Sequence, residues 1–222
     1  MGQPTLEEIA NWLEADAIRD RLLALISLRN APSAAALPLI EKALADPHQL
    51  VRSMAVGALK VNPAQAAYPI LVKIMAADPD YGVRADAAGA LGYLGDLRAF
   101  EPLVRAFHED THWLVRFSAA VSLGNLQDPR AHDVLMQALN SHEVVLQQAA
   151  ISAIGETKDI AALDDMLRFV PSEDWLLRQR LAEALGHLQH EKSISALRFL
   201  KKDIHPSVSA AAMISLERLL AA

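Results

Sequence analysis

The chain contains no cysteine among its 222 residues. This absence excludes disulfide bonds, thiolate metal sites, thiol nucleophiles and thioether attachment of a cofactor to this chain. Aromatic residues are scarce, at 5%, and glycine and proline together number only 20, as 9 and 11. Because alanine and leucine are abundant, this composition indicates a compact, all-helical chain.

Long apolar runs are missing too. Hydrophobic residues make up 52% of the chain. Nevertheless, no run approaches the ~18 uninterrupted apolar residues that a membrane-spanning helix needs. Residues 1–13 carry acids where a secretory signal carries bases, and they contain no cleavage-like site. We therefore expect neither membrane insertion nor export.

Basic residues are the minority among the charged ones. Lysine and arginine number 21 against 27 aspartates and glutamates, and the formal net charge is -6. Binding to nucleic acid needs a basic surface that releases counterions from the phosphates. The composition therefore predicts no nucleic-acid partner, and it leaves open only a local basic strip.

What the sequence does contain is a repeat. An arginine, usually followed after three residues by alanine and after seven by leucine or isoleucine, returns at intervals of 31 or 32 residues. A fixed period of this length indicates stacked repeats rather than one closed core. We call this place the arginine position, and it is occupied by Arg21, Arg52, Arg84, Arg116, Gln147, Arg178 and Ser209.

Each period is predicted to be a pair of antiparallel helices. In the repeat from Asp96 to Gly124, apolar residues recur at helical spacing over 98–109 and again over 113–123, and Asp110 and Thr111 break the pattern. A glycine follows the second helix of several repeats, and we predict that it caps the helix end. The glycines concerned are Gly92, Gly124, Gly155 and Gly186.

The turns between the two helices carry an aspartate six residues before the arginine position. Asp46, Asp78, Asp110 and Asp203 stand there. A carboxylate and a guanidinium at constant offset can form a hydrogen-bonded ladder from repeat to repeat. Gln147 lacks the guanidinium and Ser141 lacks the carboxylate of the same repeat, and this joint loss favours pairing.

Paired helices, prolines at 38, 69 and 102 in first helices, and the Asp/Arg pairs resemble HEAT repeats. The resemblance predicts an all-α fold: a HEAT-repeat α-solenoid (α-α superhelix) of about six helical pairs plus an N-terminal helix. Thr5 and Glu8 are predicted to form a capping box on that helix. Because each repeat contacts only its neighbours and no linker is visible, residues 1–222 are predicted to form a single domain.

Two histidine patterns invite a metal-site hypothesis. His108 to His112 reads HEDTH, as in zinc proteases, but that chemistry needs one continuous helix and the repeat register breaks it at Asp110 and Thr111. The His-Glu dipeptides starting at His108, His142 and His190 resemble the ligands of a HEAT-repeat di-iron hydroxylase family, but they occupy different repeat positions. We therefore predict no metal site and no catalytic residue.

A recurring aromatic residue is the strongest candidate for binding. It lies three residues before the arginine position, as Tyr81 before Arg84, Trp113 before Arg116 and Trp175 before Arg178. Two interpretations are open for these six residues. The rings and guanidinium groups form a strip that binds a partner or an acidic ligand, or the rings staple the turns and the arginines belong to the ladder.

Three stretches resemble a more specific family. They are WLVRFSAAVSLGNLQDPRAH at 113–132, ALNSHE at 138–143 and QAAISAIGE at 148–156. They are similar to the cyanobacterial phycobilin lyase HEAT-like repeat family, and most of all to its phycobilisome degradation branch of the non-bleaching type. The similarity in size and register covers almost the whole chain, although the segment 158–160 departs from the usual glycine-aspartate entry into the next repeat.

The resemblance implies a cytoplasmic factor, or one at the cytoplasmic surface of thylakoids, that binds phycobiliprotein subunits or their bilins during phycobilisome turnover. No bound cofactor is expected, although phycocyanobilin is a conceivable transient ligand of the aromatic and arginine strip. We expect non-catalytic binding. Two alternatives stay open: a phycobilin lyase subunit that attaches or detaches bilins at antenna cysteines, and a generic protein-protein adaptor. A second HEAT subunit or a homodimer would fit either.

Overall fold

The computed structural model describes residues 4–61 and 66–221. These residues form α-helices, short 3-10 helices and turns, without a β-strand. None of the described helices is long and apolar enough to cross a membrane. The helices group into two compact units, unit 1 (Met1–Ala99) and unit 2 (Phe100–Ala222).

The described residues of unit 1 form three helical pairs. Its helices are α1 (Leu6–Leu13), α2 (Ile18–Ser27), α3 (Ser33–Ala43), α4 (Gln49–Val61), α5 (Ala67–Ala77) and α6 (Tyr81–Leu94). The capping box predicted at the start of α1 is confirmed, because Thr5 accepts from the backbone of Glu8 and Glu8 accepts from the backbone of Thr5. Since α1 packs against α2, the N-terminal helix is the first member of a pair rather than an addition to the repeats.

Up to residue 221, where the description of unit 2 ends, its helices form four further pairs. Its helices are α7 (Phe100–Glu109), α8 (Trp113–Asn125), α9 (His132–Leu139), α10 (Val144–Thr157), α11 (Leu163–Leu167), α12 (Trp175–Leu185), α13 (Glu191–Leu200) and α14 (Pro206–Ala221). We call the even-numbered members the second helices. In each unit, successive second helices contact one another directly, α2 with α4 and α4 with α6, and α8 through α14 likewise.

The predicted ladder of arginines and aspartates is confirmed within each unit. Arg52 donates from Nε and Nη2 to the two carboxylate oxygens of Asp78, at 2.8 and 2.9 Å. Arg178 does the same to Asp203, at 2.7 and 2.9 Å, and Arg21 pairs with Asp46 at 2.8 Å. In all three the carboxylate belongs to the turn of the following repeat.

Arg52 and Arg178 also donate hydrogen bonds to backbone carbonyls of their own turns. Arg52 Nη1 donates to the carbonyl of Asp46 at 2.9 Å, and Arg178 Nη1 donates to that of Ser172 at 2.6 Å. The turn carboxylate in addition accepts a backbone N–H two residues on, as Asp203 does from His205 at 2.8 Å. One guanidinium therefore joins two consecutive turns, and its hydrogen bond holds the pKa of Asp203 below its usual value.

The repeat with Gln147 keeps only half of this arrangement. Gln147 Nε2 donates to the carbonyl of its own turn, at Ser141, at 2.7 Å. The bond to the following repeat comes instead from the neighbouring Gln148, whose Nε2 donates to Asp174 at 2.9 Å. Because Ser141 offers no carboxylate, Arg116 of the preceding repeat binds Glu143 instead, at 2.8 Å. The sequence predicted the gap but not these two substitutes.

The prediction that the repeated glycines cap the second helices was wrong for three of the four and is confirmed for Gly186. Gly92, Gly124 and Gly155 lie inside α6, α8 and α10 and are buried. Gly186 is the C-cap residue of α12, but in a right-handed conformation. The left-handed residues that follow α6 and α10 are instead Gly95 and Lys158.

Close helix packing explains these glycines in unit 2. A Cβ at Gly124 would lie 2.6 Å from Cα of Ala153, and one at Gly155 would lie 2.8 Å from Cα of Ala184. A Cβ at Gly186 would meet that of Ser215 at 2.6 Å. The glycine therefore lets the next second helix approach. These glycine contacts recur at the same interval along the chain as the arginine-carboxylate bonds of the ladder.

We predict that Gly155→Ala destabilises the protein by about 1 to 3 kcal/mol, because α10 and α12 must separate to admit the methyl group. A matched control is Gly89→Ala, in the interior of α6, where a Cβ would meet nothing within 4 Å. The control is expected to stabilise the protein by about 0.5 to 1 kcal/mol, since alanine favours helix over glycine. Urea unfolding followed by circular dichroism measures both changes, and equal effects of the two variants would refute the close-packing explanation.

Candidate functional site

The two tryptophans predicted to bind a partner lie along one edge of unit 2. Trp113 and Trp175 are the first residues of α8 and α12, and their side chains are 45% and 42% exposed. The first residue of the intervening α10 is Val144, which is 44% exposed. We call these three residues the apolar strip. Adjacent packed helices lie about 8 to 10 Å apart, so the strip extends over roughly 16 to 20 Å.

Val144 was missed in the sequence. It occupies the same repeat position as the tryptophans, three residues before Gln147, but it is not aromatic and so did not stand out. The repeat period was the signal that could have found it. With Val144 included, the strip is continuous across three second helices.

Each tryptophan rests one face on a histidine. The ring of Trp175 stacks on His205, in the turn of the next repeat, with 4.0 Å between centroids and 12° between planes. Trp113 lies against His112 of its own turn, at 5.8 Å and 29°. The rings are therefore packed on one side and exposed on the other. The packing interpretation and the binding interpretation both have a physical basis here.

Tyr81 belongs to unit 1. It is the first residue of α6 and is 47% exposed. It therefore has the same place in its repeat and the same degree of exposure as the two tryptophans.

The three arginines predicted to accompany the rings are engaged in the turns. Arg178 directs donors to Asp203 and to two backbone carbonyls of its own turn. Arg84 donates to the carbonyl of Asp78 at 3.0 Å. Arg116 is more accessible than Arg178, because their side chains are 26% and 12% exposed, and its partner Glu143 is 39% exposed. A binding role for these arginines stays a prediction.

Polarity changes across the exposed face of the second helices in unit 2. On α8, Phe117 and Val121 follow Trp113 at intervals of four residues and are partly exposed. On α12, the corresponding residues are Gln179 and Glu183, which bond to each other at 2.8 Å. A ligand on this face would therefore meet an apolar surface at α8 and a polar one at α12.

The histidine patterns do not build a metal centre among the described residues. The predicted break at Asp110 and Thr111 is confirmed, since α7 ends at Glu109 and α8 begins at Trp113. Consequently His108 lies on one helix, and His112 is the N-cap of the next, its Nδ1 accepting from Leu114. In the described parts of the chain, no three side chains of the metal-binding types come together.

A histidine-carboxylate pair was not predicted. His132 Nδ1 bonds to Asp159 of the next repeat, beside an open cleft of about 360 Å³ that Asp128, Thr157 and Lys158 also line. The bond to Asp159 raises the pKa of His132 above its usual value, and the nearby Asp133 and Asp165 act in the same direction. Sequence periodicity gave no signal for this pair, because it occurs in one repeat only.

Because the pKa of His132 is higher in the folded than in the unfolded chain, the pair stabilises the fold fully below the unfolded pKa of about 6.5. This stabilisation is lost as the pH rises through the folded pKa. We therefore expect His132→Gln to lower the melting temperature more near pH 6 than near pH 9. Thermal unfolding followed by circular dichroism tests this, with His142→Gln at an exposed site as the control. A drop of equal size at both pH values would contradict the ionic pairing.

Comparison with solved structures shows the fold. The complex of CpcE and CpcF of phycocyanin lyase from Nostoc sp. PCC7120 is similar with a TM-score of 0.63 and 21% identity, over 99% of this chain and 96% of that one. Kap95p, from a structure with RanGDP, has a TM-score of 0.68 and 15% identity, over 97% and 36% of the two chains. The Escherichia coli protein YibA gives 0.66 and 18%, over 98% and 82%.

No curated protein sequence matches the chain significantly. The chain does match the sequence pattern of a known family, the HEAT repeats. The matches of the HEAT-repeat family span residues 6–90, 68–146 and 133–217. Together they cover nearly the whole sequence, in agreement with the helical pairs, the ladder of turn carboxylates and the stacked second helices. The chain is a member of the HEAT-repeat family.

Proposed function

We propose that this chain is a non-catalytic docking protein whose apolar strip binds a phycobiliprotein, or its exposed bilin, during phycobilisome turnover. The observation that carries the proposal is the exposure of Trp113, Val144 and Trp175 on consecutive helices of one unit. Tryptophan is the residue type most enriched at the energetic centres of protein interfaces. Tyr81, at the same repeat position in unit 1, is a further contact in this proposal.

The packing of the rings suits this role. Because Trp175 is held against His205 on one face, little side-chain freedom remains to be lost when a partner covers the other. Preorganised aromatic contacts bind more tightly for this reason. The flat rings are also suited to the conjugated system of a bilin, and the partly exposed Arg116 to one of its propionates.

The choice of partner rests on two likenesses. The segments at 113–132, 138–143 and 148–156 resemble phycobilisome degradation proteins of the phycobilin lyase HEAT-like family. The fold resembles the phycocyanin lyase subunits over nearly the full length of both chains. In this proposal the cysteine that carries a bilin belongs to the phycobiliprotein, since this chain has none.

The test is the binding of purified phycocyanin, measured by co-elution on a sizing column and by titration. Trp113→Ala and Val144→Asp are each expected to weaken binding about tenfold or more, as truncation or charging of an interface centre does. Val144→Asp tests the strip without removing a ring that is stacked on a histidine. The matched control is Phe199→Ala on α13, an aromatic residue that is 65% exposed outside the strip, and it should bind like the wild type.

Other outcomes would replace the proposal. Loss of covalently bound colour from phycocyanin would favour the lyase-subunit alternative, particularly if a second HEAT protein were needed. Absence of both co-elution and any shift in bilin absorbance would refute the phycobiliprotein partner and leave a generic adaptor. Equal binding by the strip variants and Phe199→Ala would refute the strip as the contact surface.

A further inference from the structure

On the surface of α4 and α6 in unit 1 there is open space for a side chain at Gly57 and Gly89, and we call this place the notch. Two side-chain contacts cross the seam between these helices. Ser53 Oγ donates to Asp86 Oδ2 at 2.5 Å, and about two turns further along Lys60 Nζ lies 4.5 Å from the centre of the Tyr93 ring. One turn from each contact, where a third crossing would be expected, both helices carry a glycine.

These two glycines, Gly57 and Gly89, are not required by the packing of unit 1. A Cβ at either position would meet nothing within 4 Å among the described atoms, in contrast to Gly124 or Gly155. Glycine in a helix interior costs about 0.5 to 1 kcal/mol relative to alanine. This cost occurs twice at neighbouring positions, and no contact within unit 1 explains it. The two glycines therefore indicate space for a side chain of another molecule.

The rim of the notch is apolar and carries one cation. Along α4, Leu50, Met54 and Val61 are 56%, 39% and 47% exposed, and Tyr93 of α6 is 63% exposed. Lys60 contacts the Tyr93 ring and makes no ion pair with a described residue. A helix that fits here needs a large apolar side chain to enter the notch and a carboxylate about one turn away to meet Lys60.

The chain itself exposes such a helix. On α14, Ile214 and Leu220 are each 61% exposed and Met213 is 42% exposed. Glu217 lies three residues after Ile214 and three before Leu220, on the same exposed stripe, and it pairs with no described cation. Ile214 and Glu217 are three residues apart on α14, as Gly57 and Lys60 are on α4. The apolar side chain can therefore enter the notch while the carboxylate meets Lys60.

The last helix of unit 2 differs from the inner second helices at two repeat positions. Glu217 stands at the position where α8, α10 and α12 have Gly124, Gly155 and Gly186, the residues that admit the next second helix. Ser209 likewise stands at the arginine position, and its hydroxyl bonds to the carbonyl of Lys201 at 2.8 Å. Beside its exposed apolar residues, this face of α14 therefore presents a carboxylate and a hydroxyl in place of the glycine and the guanidinium.

We propose that α14 of a second copy of this chain docks across α4 and α6, with Ile214 in the notch at Gly57 and Gly89 and Glu217 paired with Lys60. The contact joins two different surfaces, so it produces a closed oligomer if it is reciprocal and longer assemblies if it is not. It is separate from the apolar strip proposed above.

The test is the mass of the full chain by light scattering and sedimentation velocity, between about 1 and 100 µM. The wild type is expected to associate in a concentration-dependent manner. Gly57→Leu fills the notch and should weaken association by about tenfold or more. Its matched control, Ala76→Leu, adds the same bulk to an exposed site on α5 and should associate like the wild type. Thermal unfolding should show that Gly57→Leu is no less stable than the wild type.

Charge reversal tests the pairing. Lys60→Glu and Glu217→Lys should each weaken self-association, and the double variant should restore it, because the pair is then present with its signs exchanged. A monomeric mass at every concentration would overturn the proposal. So would association that is indifferent to Gly57→Leu, or single reversals that the double variant does not rescue.

Discussion

A guanidinium shared between two consecutive turns is the interaction on which the rest of each unit depends. Arg52 and Arg178 each chelate the carboxylate of the next turn while donating to carbonyls of their own. A bond of this geometry requires that successive repeats keep the same length and the same rotation, which is why the period hardly varies. The glycine contacts of α8, α10 and α12 occur at the same period and set how closely the second helices approach.

This arrangement determines which side chains are available for binding. The donors of the ladder arginine are used in hydrogen bonds within the turns. A ligand that approaches the turn therefore contacts the residue three positions before the arginine. In unit 2 those residues are Trp113, Val144 and Trp175, all about half exposed. The interrupted repeat follows the same logic, because Arg116 turns to the more exposed Glu143 when Ser141 replaces the aspartate. A regular scaffold thus presents a nearly uniform row of surface positions, and the choice of side chain in that row sets what it binds.

Most features that repeat could be predicted from the sequence, whereas features that occur once could not. The helical pairs, the break at Asp110 and Thr111 and the aspartate-arginine ladder all follow from period and residue type. Among the repeating features, Gly92, Gly124 and Gly155 were misread, because a helix cap and a close helix contact both produce a glycine near the end of an apolar stretch. The pair of His132 and Asp159 and the substitute Gln148 occur once each, so no periodicity could reveal them. The notch at Gly57 and Gly89 needed coordinates, since only the empty space around a glycine separates it from a packed one.

The most direct test of this account is a double-mutant cycle on Arg178 and Asp203, whose side chains are only 12% and 10% exposed. The variants are Arg178→Gln, Asp203→Asn and their combination, and the free energy of unfolding is measured for each by urea denaturation at neutral pH. The same cycle on Arg98 and Asp96, which pair within one loop with Arg98 largely exposed, is the reference. We predict a coupling energy of about 1 to 3 kcal/mol for the ladder pair and a clearly smaller one for the solvent-screened loop pair. A ladder coupling no larger than that of the loop pair would show that the guanidinium bridge does not hold consecutive repeats together.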